Sequence, residues 1–122
     1  MPDPDLDLRE WLCTSGHGAY ASGTVAGPAT RRYHGLLVAA VDPPAHRRMV
    51  LAAIDATVEI AGESLSLATH RYRWGTLHPD GTSRLATFAS EPWPTWKWRL
   101  AEGTEIVRTL RFQPQCNAIL VE

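Results

Sequence analysis

Residues 95–112 read TWKWRLAEGTEIVRTLRF, and their alternation decides the fold class. Trp96, Trp98 and Leu100 alternate with Lys97 and Arg99. A strand turns successive side chains to opposite faces, so this spacing predicts a half-buried strand. Glu102-Gly103 supplies a turn; Ile106, Leu110 and Phe112 then return on one face, with Thr109 and Arg111 on the other. The expected hairpin pairs residues 95–101 with 104–112 and gathers Trp96, Trp98, Leu100, Ile106, Leu110 and Phe112 on one side. A slip of one residue would expose the whole set, so the pattern also sets the register. Arg108 interrupts the apolar face, as expected near an edge or a polar contact.

The same period runs upstream. From Val50 to Ile60 the even positions are Val, Ala, Ile, Ala, Val and Ile, while Asp55, Thr57 and Glu59 take odd positions. With Gly62-Glu63 as a turn and Leu65 and Leu67 beyond it, residues 50–68 read as a second hairpin. Tyr33 to Val41 is a more continuous apolar run, compatible with a strand buried on both faces and ended by Pro43-Pro44. His78-Pro79-Asp80-Gly81 has the composition of a turn between the middle strands. Nine Gly and nine Pro are spread through the chain, and no amphipathic helical stripe lasts three turns. The expected class is all-β, an antiparallel β-sandwich. Ala118 to Glu122 reads as a strand that stops mid-element, which suggests an incomplete fragment of a larger domain.

Composition bounds the function. The 122 residues carry 12 Lys+Arg against 13 Asp+Glu, a formal net charge of −1, which excludes a strongly basic nucleic-acid arm. Hydrophobic residues at 44% and charged residues at 20% describe a globular chain rather than a disordered one. Cys13 and Cys116 are too few and too far apart for a disulfide framework and are expected as reduced, buried thiols. The acidic N-terminal residues lack the basic and apolar regions of a signal peptide, and no run approaches the length of a membrane span. The expected location is cytoplasmic, with no membrane and no nucleic-acid partner.

Chemistry-bearing residues concentrate in 10–41, EWLCTSGHGAYASGTVAGPATRRYHGLLVAAV. Gly16, Gly18, Gly23 and Gly27 could shape a phosphate-binding loop, but no G-x-G-x-x-G opens a helix, and turns between strands explain them as well. Thr30-Arg31-Arg32-Tyr33-His34-Gly35 places two guanidiniums in a row. On a strand they would point to opposite faces, and the inward one would need a partner. That partner is either a carboxylate in a structural pair or a polar ligand or neighbouring domain. His17, His34, His46, His70 and His78 lack metal-ligand spacing. Glu10, Asp42, Asp55 and Glu59 offer carboxylates, but no spacing nominates the pair a glycosidase needs. Trp96 and Trp98 fit the core, whereas Trp93, between two prolines, is the better candidate for stacking on a sugar or base.

The stretch from Glu10 to Ala40 resembles the N-terminal signature of bacterial and archaeal-type glycogen debranching enzymes, the amylo-α-1,6-glucosidases. Its most specific part is Thr30–Gly35, and His78-Pro-Asp-Gly and Pro92-Trp-Pro-Thr-Trp also look like family features. Ser15 stands where the family usually has Asn, and Ala19 where it usually has Gly. The resemblance implies a β-supersandwich domain ahead of an (α/α)6 toroid that hydrolyses the α-1,6 branch points of glycogen. The catalytic carboxylates would belong to the toroid, which this chain lacks, so no catalytic residue, cofactor or metal is expected here. The implied partners are the C-terminal catalytic toroid of the same polypeptide and a branched α-glucan. Arg31, Arg32, Tyr33, His34 and Trp93 are the candidates for substrate binding or a domain interface. Two further readings are a stand-alone carbohydrate-binding β module, with Trp93 and Trp96 as its platform, and an interaction domain without a ligand.

Overall fold

The computed structural model describes residues 9–16, 18–42, 45–71, 77–80, 84–101, 103–114 and 116–122. Strands β1 (Glu10–Thr14), β2 (Tyr20–Thr24), β3 (Gly35–Asp42) and β4 (Ala45–Leu51) form a four-stranded antiparallel sheet in chain order. Strands β5 (Thr57–Ile60) and β6 (Glu63–Ser66) pair with each other, as do β7 (Thr69–Arg71) and β8 (Leu77–Asp80). Strands β9 (Leu85–Ala89), β10 (Thr95–Arg99), β11 (Glu105–Phe112) and β12 (Ile119–Val121) make a second four-stranded sheet, in the order β12-β11-β10-β9. The chain is an all-β sandwich.

The two large sheets meet through one apolar cluster. Trp11, Ala21 and Leu36 enter it from the first sheet, and Trp96, Trp98, Leu110 and Phe112 from the second. Trp11 meets Trp96 edge to face, with ring centroids 5.2 Å apart and planes at 88°. Phe88 lies against the same indole at 5.0 Å. The Trp96 indole N–H also crosses between sheets, donating to the Val25 carbonyl at 3.0 Å. At the far end, the Asn117 amide donates to the Ala40 carbonyl at 3.1 Å.

The β10–β11 hairpin has the expected register, with Trp98 opposite Ile106 and Trp96 opposite Arg108. Trp96, Trp98, Leu110 and Phe112 are buried in one cluster with Ile106 packed against it, and Leu100 is buried as well. Lys97, Arg99 and Glu105 take the other face, where Glu105 pairs with Arg99 at 2.9 Å and Lys97 at 3.5 Å. The Leu100 N–H closes the turn on the Thr104 carbonyl at 2.8 Å; Glu102 lies outside the described residues. Arg108 stays on the apolar face because the two indoles accept it, its guanidinium lying 4.8 Å from the Trp96 ring and 5.2 Å from Trp98.

Other expectations need correction. The alternation over 50–68 is divided between two sheets. Leu51 pairs with Leu37 at the end of β4, residues 52–56 form no regular strand, and the hairpin is confined to β5 and β6. The reason is the partner: β3 begins at Gly35, so the chain past Ala52 has no strand beside it. The turn is Ala61-Gly62 rather than Gly62-Glu63, with φ of 52° and 81°, the positive values a tight two-residue hairpin turn requires. His78, Pro79 and Asp80 belong to β8 rather than to a turn, with Gly81 outside the described residues. A two-stranded ladder leaves one side of each strand unpaired, so Pro79 can stand in it. The run at 33–41 is a strand only from Gly35, and its buried part ends at Ala40, as Val41 is 61% exposed. Pro43-Pro44 lies outside the described residues. Strand β4, at the edge of the first sheet, has exposed side chains on both faces from His46 to Val50. Cys13 and Cys116 are free thiols, both only half-buried.

Replacing Trp96 with Ala should destabilise the domain by about 3–5 kcal/mol, against less than about 1 kcal/mol for Lys97→Ala, as measured by denaturant unfolding. At the β5–β6 turn, Ala61→Asn should add roughly 0.5–1 kcal/mol, since Asn tolerates the positive φ better than Ala does. No gain in the unfolding midpoint would show that the turn is formed differently in solution.

Candidate functional site

The motif loop between β2 and β3 is built from its own hydrogen bonds. Thr24 donates its hydroxyl to the Pro28 carbonyl at 2.6 Å and accepts from the Gly27 N–H at 3.2 Å. Gly27 has φ of 120°, and a side chain there would come within 3.2 Å of the Thr69 carbonyl. Further on, the His34 N–H reaches back to the Arg31 carbonyl at 3.1 Å, closing a turn over residues 31–33. Arg31 and Arg32 therefore sit in a turn and not on a strand, which corrects the opposite-face expectation. The carbonyl of Tyr33 is held by the hydroxyls of Tyr20 at 3.2 Å and Ser22 at 3.3 Å.

His34 is the centre of this loop. Its side chain is 1% exposed. Its Nδ1 accepts the backbone N–H of Thr30 at 3.1 Å and of Arg31 at 3.2 Å. An atom that accepts two N–H groups carries no proton, so the proton sits on Nε2 and is donated to Glu10 Oε1 at 2.7 Å. The same carboxylate oxygen takes the Arg31 Nε–H at 2.8 Å. The His34 bond and then Arg31 hold the Glu10 carboxyl below its usual range, and Glu10 in turn raises Arg31. Both ring nitrogens are engaged, so the imidazole fixes the loop and has no free atom with which to exchange a proton with a substrate.

The two arginines differ in their surroundings. Arg31 is tied to Glu10, whereas Arg32 is exposed and has no hydrogen-bond or ion-pair partner among the described residues. Tyr33 is 50% exposed beside it, its ring edge-on to His34 at 5.3 Å. Next to them runs an open groove of about 580 Å³ lined by Glu10, Leu12, Thr14, Tyr20, Tyr33 and Arg47. Arg47 braces it, donating to the Gly18 carbonyl at 2.7 Å and lying 5.7 Å from the Tyr20 ring. Arg31, Arg32, Tyr33 and His34 are thus brought together, and Trp93 is not. Trp93 lies before β10, is 38% exposed and carries Arg111 over its ring at 5.4 Å.

Sequence reading missed Glu10 as the partner of this cluster, and Tyr20 and Arg47 as parts of the groove. The carboxylate stands 21 residues before Arg31, and only the pairing of β1 with β2 brings it near. Among the described residues there is no group of three His, Cys, Asp or Glu side chains able to hold a metal ion, and no helix long and apolar enough to cross a membrane.

Fold and loop together define an all-β domain whose most elaborate polar construction shapes a surface. Residues 9–122 match the family model described as the glycogen debranching enzyme N terminal, and the chain belongs to that family. No curated protein and no solved structure matches it.

The lowered Glu10 pKa gives this cluster a pH signature. Glu10 stabilises the fold fully above the ordinary carboxylate value of 4.5, and the contribution disappears as pH falls through the lowered value. Melting temperatures of the wild type and Glu10→Gln should therefore differ at neutral pH and converge in acid. A constant gap across the titration would rule out the ionised bridge.

Proposed function

We propose that this chain is the non-catalytic N-terminal β portion of an enzyme that hydrolyses α-1,6 branch points in glycogen, and that its motif loop braces or lines the active-site cleft of a catalytic toroid in the same polypeptide. The family membership supports the first part. The observation that carries the second is the division of labour between neighbouring arginines. Arg31 is held by Glu10, while Arg32 and Tyr33 stand exposed on a hydrogen-bonded turn, and Tyr33 lines the groove. An exposed charge next to an aromatic ring on a fixed backbone suits recognition of a second surface. The buried side of the turn is already satisfied by His34 and Glu10, so Arg32 is available without cost to the fold.

In the full-length enzyme, Arg32→Ala should lower branch-point hydrolysis by about tenfold to a hundredfold through misplacement of the cleft, with little change in melting temperature. Equal losses of activity and folding would assign Arg32 to the stability of this domain instead. The 122-residue chain alone should not turn over a branched α-glucan. Turnover by the purified chain, abolished by one substitution within it, would overturn the non-catalytic role.

A further inference from the structure

The open groove along β1 has an apolar wall that nothing among the described residues covers. Glu10, Leu12 and Thr14, alternate residues of β1, share one face of that strand and line the groove. Tyr20, paired with Thr14, and Tyr33 add two aromatic rings. Leu12 is 63% exposed although it lies within a regular strand.

Charge gives the groove a sign. Among the described residues, Glu10 is the only carboxylate in its lining, and Glu10 Oε1 is already shared by His34 and Arg31. Arg47 donates to the Gly18 carbonyl and lies over the Tyr20 ring, with no carboxylate partner among the described residues. Arg32, beside Tyr33, is likewise unmatched there. An apolar trough with unmatched cations at its rim fits a segment that brings carboxylates and apolar side chains together.

The chain carries such a segment. Residues 1–8 read MPDPDLDL and lie outside the described residues. Asp3, Asp5 and Asp7 alternate with Pro2, Pro4, Leu6 and Leu8, and no basic residue interrupts them. In any extended run of this pattern the carboxylates fall on one side and the apolar groups on the other. Pro2 and Pro4 have no N–H to give a sheet, so recognition would fall to side chains. The attachment point is close: the Arg9 carbonyl is held by the Val25 N–H, and the next residue, Glu10, lines the groove. Residues 2–8 can span up to about 23 Å, against roughly 14 Å along β1 from Glu10 to Thr14, which leaves length for the chain to turn back. The tether also sets an effective concentration on the order of millimolar, so weak contacts suffice.

We propose that the groove binds the chain's own N-terminal segment, with Leu6 and Leu8 against Leu12, Tyr20 and Tyr33, and the aspartates toward Arg47 and Arg32. The segment then covers residues assigned above to a second surface and competes with it. That competition rests on the cleft reading; the docking does not.

The test is proton NMR of the 122-residue chain at low salt. Overhauser contacts are expected between the methyl groups of Leu6 or Leu8 and the rings of Tyr20 or Tyr33. Combining Asp3→Asn, Asp5→Asn and Asp7→Asn should weaken them by about threefold or more, as the loss of several exposed ion pairs implies. Arg47→Gln should act in the same direction; should that variant not fold, the aspartate variant decides alone. Absence of these contacts in the wild type, full contacts in the aspartate variant, or contacts of Leu6 and Leu8 to another surface such as Trp93 would each overturn the proposal. So would contacts that arise only between labelled and unlabelled chains in a mixed sample, which would place the segment on a second copy. The role of Arg32 in hydrolysis is read in the full-length enzyme, so its failure and the failure of docking are told apart.

Discussion

Two indole N–H groups, one from each sheet, must find acceptors in the middle of the sandwich, and they take consecutive carbonyls of the same short segment. Trp11 donates to Thr24 at 3.2 Å and Trp96 to Val25 at 3.0 Å. An indole N–H buried without an acceptor would offset much of what the ring gains by leaving water. The start of the motif loop is therefore fixed to both sheets at once. Gly23 belongs to the same constraint, since any side chain there would lie 3.1 Å from the Trp11 indole nitrogen. From this anchor the loop runs to Pro28, held by Thr24, and on to the turn held by His34. The surface that carries Arg32 and Tyr33 is thus positioned by the core.

The sequence was most legible where one physical rule acted alone. The face shared by Trp96, Trp98, Leu110 and Phe112 could be read directly, because burial on one side of a hairpin imposes strict alternation. Legibility failed where alternation outlasted pairing. Residues 52–56 keep the pattern of a strand, since Ala56 still packs against the core, but the neighbouring strand has not begun. Arg31 and Arg32 were misread as strand residues because the turn that holds them depends on a buried imidazole. Which nitrogen of His34 accepts, and that Glu10 lies opposite the other, are facts of tertiary structure. Arg108 was visible as an exception to the apolar face, but the pair of rings that tolerates it became clear only from the cross-strand register.

Family membership and the polar geometry bear on different parts of the functional reading. The family concerns debranching of glycogen. The geometry separates side chains that are consumed within the domain from those left facing outward. His34, Glu10 and Arg31 are of the first kind; Arg32 and Tyr33 are of the second. That separation is why a motif dense in chemistry-bearing residues need not be a reaction centre. Most of its polar atoms hold a loop in place, and a minority are presented.

Strand β4 has a consequence for the behaviour of the chain in solution. It lies at a sheet edge with His46, Arg47, Arg48, Met49 and Val50 all exposed, so its outer backbone groups are a template on which another strand could add. The two adjacent arginines put positive charge on both faces of that edge, and antiparallel addition of a second copy would bring like charges close together. This guard is electrostatic and therefore weakens with salt, as the screening length shrinks from about 10 Å at 0.1 M to about 3 Å at 1 M. High salt should thus favour strand-to-strand association of the free domain, and low salt should keep it dispersed.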